Sequence, residues 1–147
     1  MDEATEQKVR EALAYVKSQV ELGKRNGVNL ARVDDILVGA QFMYEAGNYE
    51  DALKLVNECS EMAGDLIIQF NALVSALRRS AKKIMDARNE GEETEEAMKF
   101  LQMAEEAMKR TDYKLGISYA VRSGEVVEGG KKKHPGSGSG PDWTKGM

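Results

Sequence analysis

One cysteine, Cys59, and one histidine, His134, are the only side chains in this 147-residue sequence suited to act as a soft nucleophile or as a base near neutral pH. A catalytic thiol or hydroxyl needs a base within reach, and a metal needs convergent His, Cys or carboxylate ligands. Cys59 lies on an apolar stripe with no basic neighbour to lower its pKa, which is the setting of a small buried hydrophobe. His134 stands in a Gly/Pro-containing stretch without periodicity. Neither constellation can be assembled from them, so no catalytic residue, cofactor or metal ligand is expected, and the chain reads as non-enzymatic. The carboxylates point the same way. Asp34 and Asp35, or the run "EGEETEEA", could approach a hard cation, but no loop alternates oxygen ligands around a central Gly as a calcium hand does. Glu92, Glu93, Glu95 and Glu96 fit the start of a helix, where the dipole favours negative charge.

What remains is binding. The run "RRSAKK" stacks Arg78 with Lys82 and Arg79 with Lys83 one helical turn apart, and Lys131, Lys132 and Lys133 follow near the C-terminus. Together they define an anionic-surface alternative, with nucleic acid or lipid as the partner. Against nucleic acid stands the body of the chain: residues 1–128 carry 17 basic and 24 acidic side chains, a field that repels a polyanion. Three lysines near an anionic membrane supply only about 3 kcal/mol. The favoured surface is apolar. Ala97, Met98, Phe100, Leu101, Met103, Ala104, Ala107 and Met108 cover more of one helix than a single neighbour can bury. Met98, Phe100, Met103 and Ala107 are the expected anchors there, with Tyr44 on an earlier helix. The expected partner is another protein, or a second copy in a homodimer.

The elements that must hold these residues are helical. Val9, Leu13, Val16 and Val20 recur every three or four positions, which buries one face of a helix. "KRNG" ends it, with basic residues in the last turn and then Gly27, and Asn29 is placed to cap the next. The second helix buries Val33, Ile36, Leu37 and Ala40, with Met43 and Tyr44 beside them, and stops at Gly47. Asn48 caps a third helix with the stripe Ala52, Leu53, Val56, Cys59 and Ala63. Gly64 and Asp65 offer a stop followed by a cap, yet one Gly costs a helix only about 1 kcal/mol. The third and fourth helices are therefore either separate or one bent rod.

A shift of 64 residues without gaps aligns Ala12 with Ala76, Leu13 with Leu77, Gly27 with Gly91, Leu37 with Leu101, Ala40 with Ala104 and Tyr49 with Tyr113. These matches fall on stripe positions and turns, as two copies of a three-helix unit require. Gly47, Asn48, Tyr49 and Ala52 also resemble the turn of a tetratricopeptide repeat. The second copy departs from that pattern, with Thr111 for the Gly and Gly116 for the Ala, and the period differs from that family's 34 or so residues. A run-on helix joining three-helix units is similar in architecture to spectrin-type repeats. Either resemblance implies a scaffold or binding module and supplies no catalytic residue.

The expected fold is all-α: a three-helix unit over residues 1–64, a second over 65–128, and a flexible, disordered basic tail over 129–147. That tail holds both prolines and "GSGSG", which has the composition of an engineered linker, and it carries four basic residues and one acidic. The acidic N-terminus lacks the apolar run of a secretory signal, and no stretch is apolar for about 18 residues, so neither export nor a membrane span is expected. A cytoplasmic setting follows as the default.

Overall fold

The computed structural model describes residues 2–133, and the regular structure among them is entirely α-helical. The elements are α1 (Asp2–Arg25), α2 (Ala31–Glu45), α3 (Tyr49–Asn89), α4 (Glu95–Lys109) and α5 (Tyr113–Lys133). The apolar stripes build the core. Val9, Leu13, Val16, Val20, Val33, Leu37, Ala40, Ala52, Val56, Cys59 and Ala63 are all buried. Gly64 and Asp65 lie inside α3, which runs unbroken for 41 residues, so the expected third and fourth helices are one continuous helix. A Cβ at Gly64 would meet nothing nearer than the Gln19 amide at 3.6 Å.

The chain divides into two compact units, Met1–Phe70 and Asn71–Met147. The first holds α1, α2 and the N-terminal part of α3; the second holds the remainder of α3 with α4 and α5. The division falls inside α3, six residues beyond the boundary expected at residue 64. The expected tail over 129–147 overlaps α5, whose last residue is Lys133. Its remainder, with His134 and Trp143, lies outside the described residues.

Backbone geometry repeats at the same 64-residue interval. Positive φ occurs at Gly27, Gly47, Gly91 and Thr111, two pairs each 64 apart. The hydrogen bonds around them repeat as well. The N–H of Val28 donates to the Gly23 carbonyl and that of Glu92 to the Ala87 carbonyl; likewise Asn48 donates to Met43 and Asp112 to Ala107. These six-to-one bonds, with a left-handed residue inside each, are Schellman ends, which satisfy carbonyls that the last helical turn leaves open. The helix starts match too. The Ala31 N–H donates to the Asn29 side-chain oxygen at 3.1 Å, and the Glu95 N–H donates to the Glu93 carboxylate at 2.7 Å. Asn29 thus acts one residue upstream of its expected place, since Leu30 is the capping residue. Glu93 belongs to a helix start.

The interiors share the interval but differ in chemistry. The buried Cys59 thiol faces the Val33 carbonyl at 3.7 Å, and the buried Ser123 hydroxyl donates to the Ala97 carbonyl at 2.7 Å. Val16 is answered by Ser80, whose hydroxyl donates to the Ala120 carbonyl. Leu30 is answered by Thr94, Val33 by Ala97 and Val56 by Ala120, all buried. At these positions the second core has smaller or more polar side chains than the first.

Candidate docking surfaces

Five residues were singled out as anchors by the sequence, and the structure places them in unlike surroundings. On α4 the pattern resolves by residue type. Ala97, Ala104 and Ala107 are fully buried, so Ala107 has no surface to offer a partner. Met98 and Met103 are 39% and 40% exposed. Phe100 is half-buried, its ring stacked on Tyr119 with centroids 6.5 Å apart and the Arg122 guanidinium 5.9 Å above it. The alanines face the neighbouring helices because only a small side chain allows close helix approach, and the longer methionines fall at the edge of that contact.

Two shallow hollows open beside Met103. One, of about 490 Å³, is lined by Lys99, Gln102, Met103, Glu106, Arg110 and Tyr119. The other, of about 550 Å³, is lined by Glu93, Glu95, Glu96, Lys99, Phe100 and Met103. Their walls mix charges with a few apolar atoms.

Tyr44 is engaged inside the first unit. Its hydroxyl donates to the Glu6 carboxylate, and its ring lies tilted against Tyr49 with centroids 5.8 Å apart. The hydrogen bond to Glu6 is the main reason that the phenol pKa is raised above its ordinary value, with desolvation adding to it. Tyr44 ties the start of α1 to the end of α2.

The apolar surface that the sequence reading missed lies elsewhere on α2. Val38 and Phe42 are each 70% exposed and stand one turn apart on the side opposite the buried Val33, Leu37 and Ala40. The signal was present in the repeat: 64 residues on, these positions are Gln102 and Glu106. A polar pair therefore suffices for the fold at that place, and the apolar pair of α2 is not demanded by packing.

Among the basic residues, Arg78, Arg79 and Lys82 are exposed, and Lys83 is partly covered and ion-paired with Glu128 at 2.5 Å. Lys131, Lys132 and Lys133 form the last residues of α5. Cys59 is fully buried, and its thiol pKa is pushed up to about 11, chiefly by burial and further by the Glu58 and Asp34 carboxylates. Among the described residues no three His, Cys, Asp or Glu side chains converge as a metal would require. No helix among them is long and apolar enough to cross a membrane. No protein-family model matches this sequence, and no curated protein and no solved structure is significantly similar to it.

Proposed function

We propose that this chain is a non-enzymatic protein-interaction or scaffold module, built from two tandem three-helix units of tetratricopeptide-like kind, with the outer face of α2 as its principal docking surface. One observation carries the proposal: Val38 and Phe42 are exposed to solvent at positions where the second unit has Gln102 and Glu106. Removing such a pair from water on docking stabilises a complex by about 25 cal/mol per Å² of apolar area. An apolar pair spaced by four on one helix is the pattern of helix-to-helix or helix-in-groove recognition. Met103, beside the hollows of α4, and the half-exposed Met98 on the same helix are a secondary contact in the same mechanism.

The test is capture from native lysate by the full chain and by a Val38→Ser/Phe42→Ser variant. Both substitutions are on the solvent side, so stability should change by no more than about 0.5 kcal/mol. A partner held by the native chain and lost by the variant, with unchanged helix content, supports the proposal. An identical partner set for both proteins defeats it.

A further inference from the structure

The exposed face of α2 carries Asp35, Val38, Phe42 and Glu45: an acid, two apolar residues and an acid, separated by three, four and three positions. The same spacing recurs with opposite charge on α3 as Arg78, Ala81, Met85 and Arg88. All eight residues are exposed, Val38 and Phe42 at 70% and Met85 at 63%. Steps of three and four keep each set on one side of its helix, and each set spans about 15 Å at 1.5 Å per residue. Among the described residues, Asp35, Glu45, Arg78 and Arg88 enter no ion pair. Lys82, beside Met85, adds a further positive charge to the second face.

We infer that the occupant of the α2 face is a second copy of this chain, docked through the Arg78–Arg88 face of its α3. The apolar pairs meet at the centre, and each carboxylate meets a guanidinium at the rim. Pairing α2 with α2 would set Asp35 and Glu45 of one copy against the same acids of the other, and like charges across an interface disfavour that arrangement. The contact joins unlike faces: every copy carries one face of each kind, so two copies can exchange both contacts in a closed dimer, or association can continue from copy to copy. The charge distribution leans the same way, with 7 basic and 13 acidic residues in 1–70 against 10 and 11 in 71–128. A single helix-on-helix contact lies at the low end of interface sizes, so the dissociation constant belongs in the range of roughly ten micromolar to a millimolar. This inference rests on the reading of α2 as a binding face and adds its partner.

Sedimentation of the full chain from about 10 µM to 1 mM, at about 20 mM and 500 mM salt, tests it, because exposed charge pairs are screened over that range. The expected result is a mass that climbs with concentration at low salt and falls toward monomer at high salt. Two charge-reversed variants complete the experiment, Asp35→Lys/Glu45→Lys and Arg78→Glu/Arg88→Glu. Each alone should associate at least about tenfold more weakly than the native chain, and an equimolar mixture should recover association because reversed faces again meet opposite charge. A monomer at every concentration, a closed dimer indifferent to these charges, or a mixture without recovery overturns the inference. If the chain stays monomeric while Val38 and Phe42 still govern capture of a different protein, self-association fails and the proposed docking function stands.

Discussion

Thr111 holds φ at +64° in the turn between α4 and α5, where the corresponding turn of the first unit has Gly47. The left-handed region costs an L-residue with a Cβ about 1–2 kcal/mol, and it suits a β-branched one least. Glycine relieves that strain but adds roughly 0.5–1 kcal/mol of chain entropy to be lost on folding. Thr111→Gly should therefore stabilise the protein by about 0.5–1 kcal/mol, a rise of a few degrees in Tm for a chain of this size. An unchanged or lower Tm would mean that interactions of the Thr111 side chain outweigh the strain. Cys59 gives a second expectation. With its pKa raised to about 11 from an ordinary 9.0, the thiol keeps its proton in the fold while the unfolded chain loses it at lower pH. Its contribution to stability is complete below pH 9 and is lost as pH rises through 11. At pH 8 only about one thiol in a thousand is thiolate in the fold. Disulfide-exchange labelling should run at least about 100-fold slower on the native protein than in denaturant, and equal rates would overturn the burial.

Within the helices, glycine has opposite meanings at two positions. A Cβ on Gly116 of α5 would stand 2.9 Å from a Leu73 methyl and 3.3 Å from the Ala104 carbonyl oxygen, whereas Gly64 of α3 has room. Gly64→Ala should stabilise by about 0.5–1 kcal/mol through helix propensity and a less flexible unfolded chain. Gly116→Ala gains the same propensity but overpacks the α3–α4–α5 contact, and it should lose about 1–3 kcal/mol. Denaturant midpoints of the two variants should move in opposite directions; movement in the same direction would show that Leu73 yields. These cases mark how far the sequence was legible. The stripe of α1, the turns at Gly27 and Gly47 and the recurrence at 64 were readable, because periodicity and left-handed turns act locally. Whether Gly64 breaks a helix was not, because a local cost of about 1 kcal/mol is decided by the packing on either side of it. The division of α4 into buried alanines and half-exposed methionines was also hidden, since apolar type alone does not tell which side chain fits a close helix approach. Val38 and Phe42 do not stand out in the sequence because α2 carries apolar residues on both of its sides, so residue type alone does not separate the exposed pair from the buried Val33, Leu37 and Ala40.

Across the whole chain, turn geometry that recurs at 64 residues accompanies two unequal interiors. Relative to the first unit, the second exchanges Val16 for Ser80, Leu30 for Thr94, Val33 for Ala97, Val56 for Ala120 and Ala52 for Gly116, while gaining at Leu73, Ile84 and Val127 over Val9, Val20 and Ala63. The losses exceed the gains by a few methylene equivalents, each about 0.8 kcal/mol when buried. The hydroxyls of Ser80 and Ser123 are satisfied by backbone carbonyls, and such a bond returns only about 0.5–1.5 kcal/mol net. The second unit should therefore open more readily. Native-state hydrogen exchange reads this directly: buried amides of α4 and α5 should exchange with an opening free energy roughly 1–3 kcal/mol below those of α1 and α2. Ser80→Val restores the residue type of the first unit but leaves the Ala120 carbonyl without its hydroxyl donor. Because helix carbonyls already accept one backbone bond, the apolar gain should prevail and narrow the gap by about 1 kcal/mol. Equal protection in both units would show that the smaller core is compensated by tighter helix approach around Gly116, Ala104 and Ala120. A wider gap in Ser80→Val would show that the hydroxyl bond, and not the buried area, holds α3 against α5.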